Sequence, residues 1–137
     1  MPIYQEATFH DRQSVESAIP QSTTSLTFVD VTGAVLTTKD LSQDGTYQVL
    51  TPVVVQASLN NTVAEFRITL DGNQIGDVSM IELKIKEADV GTTFAGTLGG
   101  ISGGQVLKLQ YRTDKGTLTL EEFTMAIDGI PTSRVVE

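Results

Sequence analysis

Along most of the chain apolar and polar residues alternate one by one, a spacing that predicts strands with one buried and one solvated face. The cleanest case sets Ala64, Phe66, Ile68 and Leu70 against Glu65, Arg67 and Thr69. Earlier, Tyr47, Val49, Val53 and Val55 share a face opposite Gln48, Val54 and Gln56. Pro52 sits inside that run, and because proline gives no N–H to a ladder, the position predicts a sheet edge or a bulge. Leu26 with Phe28, and then Ala34 to Thr38, make shorter strands around a Thr32-Gly33 turn. Ile81, Leu83 and Ile85 alternate with Glu82, Lys84 and Lys86; Leu107, Leu109 and Tyr111 alternate with Lys108, Gln110 and Arg112. Thr92 to Leu98 is a strand of small residues around Phe94. The last strand starts with Leu118 and Leu120 and continues with Phe123, Met125 and Ile127 on the opposite parity. An extra residue flips every side chain to the other face, so the parity change predicts a bulge at Glu121-Glu122.

The connections carry turn chemistry: Asn60-Asn61, Asp71-Gly72-Asn73, Asp114-Lys115-Gly116, and the pairs Gly99-Gly100 and Gly103-Gly104. About eight strands with short links and no helical period predict an all-β, two-sheet antiparallel sandwich. Residues 1–22 differ. There Ile3, Tyr4, Phe9, Val15 and Ile19 are isolated among polar residues, and Asp11 to Ala18 reads as a short helix capped by Asp11 and ended before Pro20. The expected organisation is an N-terminal arm at 1–22, a β domain at 23–130 and a tail at 131–137. Two readings of the arm stand: a partly ordered extension, or a docking arm whose five apolar residues bury against a neighbour.

Composition narrows the functions. The 137 residues fit one domain able to build a core without cysteines, of which there are none. A net charge of −8 disfavours a phosphate-backbone partner. No apolar run is long enough for a membrane-spanning helix. The first residues lack the apolar core of a signal peptide, so synthesis in a host cytoplasm is expected. His10 is the single histidine and falls in the arm. Glu121 and Glu122 are adjacent and would point to opposite faces, unlike a glycosidase pair. Asp40 and Asp44 offer oxygens to Ca²⁺ in principle, but two carboxylates in a polar loop ordinarily cap turns. The glycine-rich 99–104 segment lacks Gly-Lys-Ser/Thr. No catalytic, cofactor or metal residues are therefore expected, and the chain reads as a non-enzyme.

The order of motifs carries a resemblance. Gly45-Thr46-Tyr47-Gln48-Val49 followed by Val53, the Ala64–Ile75 hairpin with Asp71-Gly72-Asn73, Gly103-Gly104-Gln105-Val106-Leu107-Lys108-Leu109, and a closing strand around Phe123 resemble successive strands of the TNF-like and C1q-like jelly rolls. The chain departs from them at Gln105, where the family has Asp, and in lacking the family's Phe-x-Gly step after Phe123. The resemblance implies a homotrimer with one sheet at the three-fold axis, with Phe94, Phe123 and Met125 as axis residues; ordinary core is the competing reading of each. Small, acidic, cysteine-free trimers of this kind also resemble bacteriophage capsid decoration (cement) proteins. That implies a major capsid protein as partner, a place on the capsid exterior, and Ile3, Tyr4, Phe9, Val15 and Ile19 as docking residues. A truncation lacking residues 1–20 is then expected to stay a folded trimer that no longer binds capsids. A tail-fibre or receptor-binding knob and a secreted C1q/TNF-like binding module are the alternatives.

Overall fold

The computed structural model describes residues 10–39 and 45–131, and within them the chain is all β. The strands are β1 (Asp11–Ser17), β2 (Gln21–Thr23), β3 (Val29–Thr37), β4 (Gly45–Ala57), β5 (Thr62–Leu70), β6 (Asn73–Leu83), β7 (Val90–Ile101), β8 (Val106–Thr113) and β9 (Leu118–Pro131). One sheet has the order β1-β9-β4-β7, with β2 continuing along β9; the other has the order β3-β8-β5-β6. All pairings are antiparallel. With β1 and β2 taken as one interrupted strand, the chain crosses between sheets at every connection except the β5–β6 hairpin. That is the eight-strand jelly roll.

The alternating faces meet in the core as the sequence pattern requires. Tyr47, Val49, Val53 and Val55 of β4 and Phe123, Met125 and Ile127 of β9 oppose Ala64 and Phe66 of β5 and Leu107, Leu109 and Tyr111 of β8. Phe66 makes tilted ring contacts with Phe94 at 5.2 Å and Tyr111 at 6.0 Å. Such pairs add to the stabilisation from burial alone. The β5–β6 turn has positive φ at Asp71 (49°) and Gly72 (87°), as a two-residue hairpin turn requires. The parity change in β9 is a bulge: Val54 pairs with Glu122 while Val55 pairs with Leu120, leaving Glu121 as the extra residue.

Several sequence expectations are corrected. Asp11 to Ala18 is not a helix; Asp11–Ser17 is strand β1, paired with β9 from Gly129 to Phe123. Ser14 and Glu16 stand on the exposed face and Asp11, Gln13 and Val15 on the covered one, a period of two that the scattered apolar residues obscured. Residues 11–17 and 21–23 are thus strands of the body, so the stretch first read as arm contributes to the sandwich. His10 lies against it, with Nδ1 3.4 Å from Asp128 Oδ1. Ile3, Tyr4 and Phe9, the Asp40/Asp44 loop and the 132–137 tail lie outside the described residues.

Pro52 marks neither an edge nor a bulge. It is in the central strand β4, in register with Thr93 of β7, and only the ladder to β9 is interrupted, between the Leu50–Ala126 and Val53–Phe123 pairs. Its missing N–H therefore falls on the β9 side. Gly33 (φ 86°) is an irregularity within β3, where one strand replaces the two expected. Gly99 and Gly100 lie within β7 instead of forming a turn. Leu26 and Phe28 precede β3 and belong to no strand.

One row of residues fastens β1 to the body. Asp11, Gly129 and Tyr47 are cross-strand neighbours on β1, β9 and β4. Gly129 has no side chain, so the Tyr47 ring lies over it: a Cβ there would stand 2.4 Å from two ring atoms. The phenol thereby reaches the fully buried Asp11 carboxylate and donates a hydrogen bond to it. Gln13 Nε2 (2.7 Å) and the Lys39 amide (2.8 Å) also donate to Asp11. Burial alone would push this carboxyl up. The bonds from Tyr47, Lys39 and Gln13 outweigh burial and hold it below its ordinary 3.8. Burial, then the Asp11 bond and charge, push the Tyr47 phenol far above its ordinary 10.0.

The depressed carboxyl contributes stability that is present above pH 3.8 and lost as pH falls through its folded value. The raised phenol contributes stability that is present below pH 10.0 and lost as pH climbs toward its folded value. Urea unfolding of Asp11→Asn is expected to show a loss of about 2–4 kcal/mol at neutral pH and a flatter acid limb than the unsubstituted chain. Gly129→Ala is expected to cost about 1–3 kcal/mol through displacement of the Tyr47 ring.

Candidate docking face

The outward residues of the first sheet form cross-strand rows. Arg12, Asp128, Gln48 and Thr97 make one row; Ser14, Ala126, Leu50 and Ala95 make the next. Glu16, Thr124, Pro52 and Thr93 follow, then Glu122, Val54 and Gly91. Charge is confined to the ends of this face. Arg12 and Asp128 pair at 3.3 Å at one end, and Glu16 and Glu122 stand at the other. Between them lies a floor of alanine, threonine, serine, proline and valine around Leu50, which is 50% exposed. An open hollow of about 660 Å³ lies where β1 breaks from β9, bounded by Ser17 to Ile19, Pro52 to Val54 and Glu122 to Thr124.

The outer face of the second sheet is built differently. Asp30 accepts from Gln110 at 2.7 Å and pairs with Lys108 at 3.3 Å. Arg112 pairs with Glu65 at 3.1 Å, and Arg67 donates to Gln110 at 2.8 Å. Both guanidinium groups lie over the Phe28 ring, at 4.3 Å for Arg67 and 4.2 Å for Arg112. Hydrogen bonding from Gln110, ahead of the lysine, holds the Asp30 carboxyl below its ordinary value. This face is suited to water. The first face offers water little to bind, and uncharged patches of that kind mark contact surfaces.

The expected axis residues are not on this face. Met125 and Phe123 are buried between the sheets, at 0% and 3% exposure, and Phe94 packs half-buried against the same core. The strands carrying them, β7 and β9, do border the uncharged face, but the outward parity belongs to Thr93, Ala95, Thr97, Thr124 and Ala126. Leu50 and Ala126 take the outward parity of β4 and β9, and only the pairing of these strands with β1 and β7 brings them together. Of the docking residues within the described part, Val15 packs against the core while Ile19 is 77% exposed beside the hollow. Among the described residues, no three His, Cys, Asp or Glu side chains come together as a metal site.

No protein-family model matches the chain, and no curated protein matches it. Solved structures share its fold. VP2 in the subviral particle of infectious bursal disease virus aligns with a TM-score of 0.61 and 10% identity, over 94% of this chain and 36% of that one. A chain of the T13 viral particle of the same virus aligns at 0.55 and 14% identity, over 93% and 37%. Dimeric latent PorU from Porphyromonas gingivalis aligns at 0.58 and 11% identity, over 93% of this chain and 13% of that one. The chain spans well under half the length of each of these proteins. At these identities the likeness is one of fold: the chain is a jelly-roll domain of the kind that also occurs in viral capsid proteins.

Core and face make different demands. Met125→Ala is expected to lower stability by about 2–5 kcal/mol, as deletion from a packed interior does. Leu50→Ser is expected to stay within about 1 kcal/mol of the parent chain. Denaturant midpoints at constant slope check both.

Proposed function

We propose that the protein is a viral structural protein: a homotrimeric capsid decoration protein that binds the major capsid protein on the outer surface of a phage head. The observation that carries this reading is the uncharged centre of the outer face of the β1-β9-β4-β7 sheet, around Leu50, set against the network of paired charges on the face behind it. Three copies turned with this face to a common axis would bury Leu50, Ala126 and Ala95 and leave the charged sheets in water. The small side chains permit close approach. The resemblance in fold to a capsid protein of another virus supports the same reading.

The mechanism is mechanical. A trimer presents each docking contact three times, so weak contacts add through effective concentration. The remaining arm residues, Ile3, Tyr4 and Phe9, together with the exposed Ile19, would supply apolar contacts to the capsid. The reading assigns no catalytic step, no cofactor, no membrane contact and, for a chain of net charge −8, no nucleic-acid partner.

Because β1 begins at Asp11, removal of residues 1–20 would also take away a strand, and removal of 1–9 is the informative truncation. That variant is expected to keep the mass of the parent chain by light scattering and to lose binding to undecorated capsids in co-sedimentation. Retained binding would overturn the role of the arm. Leu50→Glu is expected to fold and to give a lower mass than the parent chain; an unchanged mass would overturn the axis assignment.

A further inference from the structure

We propose that the β7 edge is a second self-association surface, at which two copies pair antiparallel about a two-fold axis centred on Ala95. An open strand edge displays unpaired N–H and C=O groups, and proteins ordinarily guard it with charge, proline or bulges. The other described edges are guarded. β1 carries Asp11, Arg12 and Glu16 and is broken at Pro20 before the short β2. β3 carries Asp30 and an irregularity around Gly33. β6 carries Asp77 and Glu82 and shifts register near Gly76. β7 has no charged residue and no proline, and its pairing with β4 runs without a shift from Val90 to Leu98.

The phase of this edge follows from Pro52. Thr93 stays paired with Pro52 although Pro52 has no N–H to give, so this is a pair without direct hydrogen bonds. The backbone groups of Thr93, and by alternation those of Gly91, Ala95 and Thr97, therefore point to the open side. Their side chains lie on the uncharged outer face.

The occupant follows by elimination among strand edges. Any of the guarded edges would bring charge or a bulge against β7. The β7 of another copy brings neither, so two acidic chains can meet there without opposing like charges within the paired strands. Centring on Ala95 sets Thr93 opposite Thr97 of the second copy and Phe94 opposite Gly96. An added Cβ at Gly96 would have no heavy atom within 4 Å, so the glycine presents no side chain against the half-buried Phe94 of the second copy. The joined sheet would continue the uncharged floor across both copies.

Ala95→Pro tests the proposal on the full chain. It removes an outward N–H and leaves the bonds to β4 in place, so circular dichroism and the thermal midpoint are expected to stay close to the parent. Its mass by light scattering is expected to be half that of the parent, which marks loss of the edge pairing alone; loss of the outer-face contact, the outcome expected of Leu50→Glu, would instead leave a third of it. The chain has no cysteine, so crosslinking is a clean second readout. Facing Cα atoms about 5.5 Å apart lie within disulfide reach. In a chain that also carries Leu50→Glu to open the outer-face contact, Ala95→Cys is expected to give a disulfide-linked dimer under mild oxidation, and Thr93→Cys, offset from its counterpart, is not. An unchanged mass for Ala95→Pro, absence of the Ala95→Cys dimer, or equal crosslinking at Thr93 would each overturn the proposal. A parent that is dimeric and not hexameric would count against the trimer and leave the edge pairing standing.

Discussion

The interrupted first strand depends on one buried carboxylate. Asp11 is removed from water at the start of β1, and its position is tolerable because Tyr47, the Lys39 amide and Gln13 donate to it. Tyr47 reaches it only across Gly129. A charge buried without partners is among the costliest arrangements a small domain can hold. The first strand, the last strand and the Tyr47 end of β4 are therefore coupled: a change in any of the three exposes the same unsatisfied group. The coupling also ties the docking face to the fold, because β1 contributes Arg12, Ser14 and Glu16 to the outer surface.

The second determinant is the contrast between the two outer faces. Both sheets present the same kind of apolar surface to the core. Outward, one sheet assembles Asp30, Lys108, Gln110, Arg67, Arg112 and Glu65 into a hydrogen-bonded, solvated network. The other presents Ser14, Ala126, Leu50, Ala95 and Thr93, whose side chains offer water few bonds. Length and composition do not separate these faces, because the separation depends on which strands become neighbours. The functional proposal rests on that asymmetry, and the β7 edge extends it to the rim of the same sheet.

Strand parity in the core was legible along the chain. The runs at Tyr47–Val55 and Leu107–Tyr111, and Ala64 and Phe66 of β5, bury the residues their alternation selects, and the reversal after Leu120 is the bulge at Glu121; past Phe66 the pairing with β6 shifts, Thr69 is buried and Ile68 and Leu70 are only half-buried. Period two is a local property of extended backbone, so local sequence suffices to show it. Where the chain carries few large apolar residues the signal fades. β1 was read as helix because Asp11 and Gln13 occupy inward positions that polar residues rarely take. Pro52 was read as an edge marker because its neighbours were unknown; in the sheet, the loss of one donor on the β9 side is accommodated with no shift of register.

The sequence by itself determined the all-β class, the hairpin turn at Asp71-Gly72 and most of the inward residues, since each follows from backbone geometry over a few residues. The tertiary structure decided the rest. Phe94, Phe123 and Met125 lie on strands that border the candidate interface, with their side chains facing the opposite way, into or against the core. Large apolar residues are drawn to whichever side is enclosed, and the enclosed side is fixed only when the second sheet closes over the first. The outer face is therefore a product of the pairing of β1, β9, β4 and β7, strands far apart in the chain.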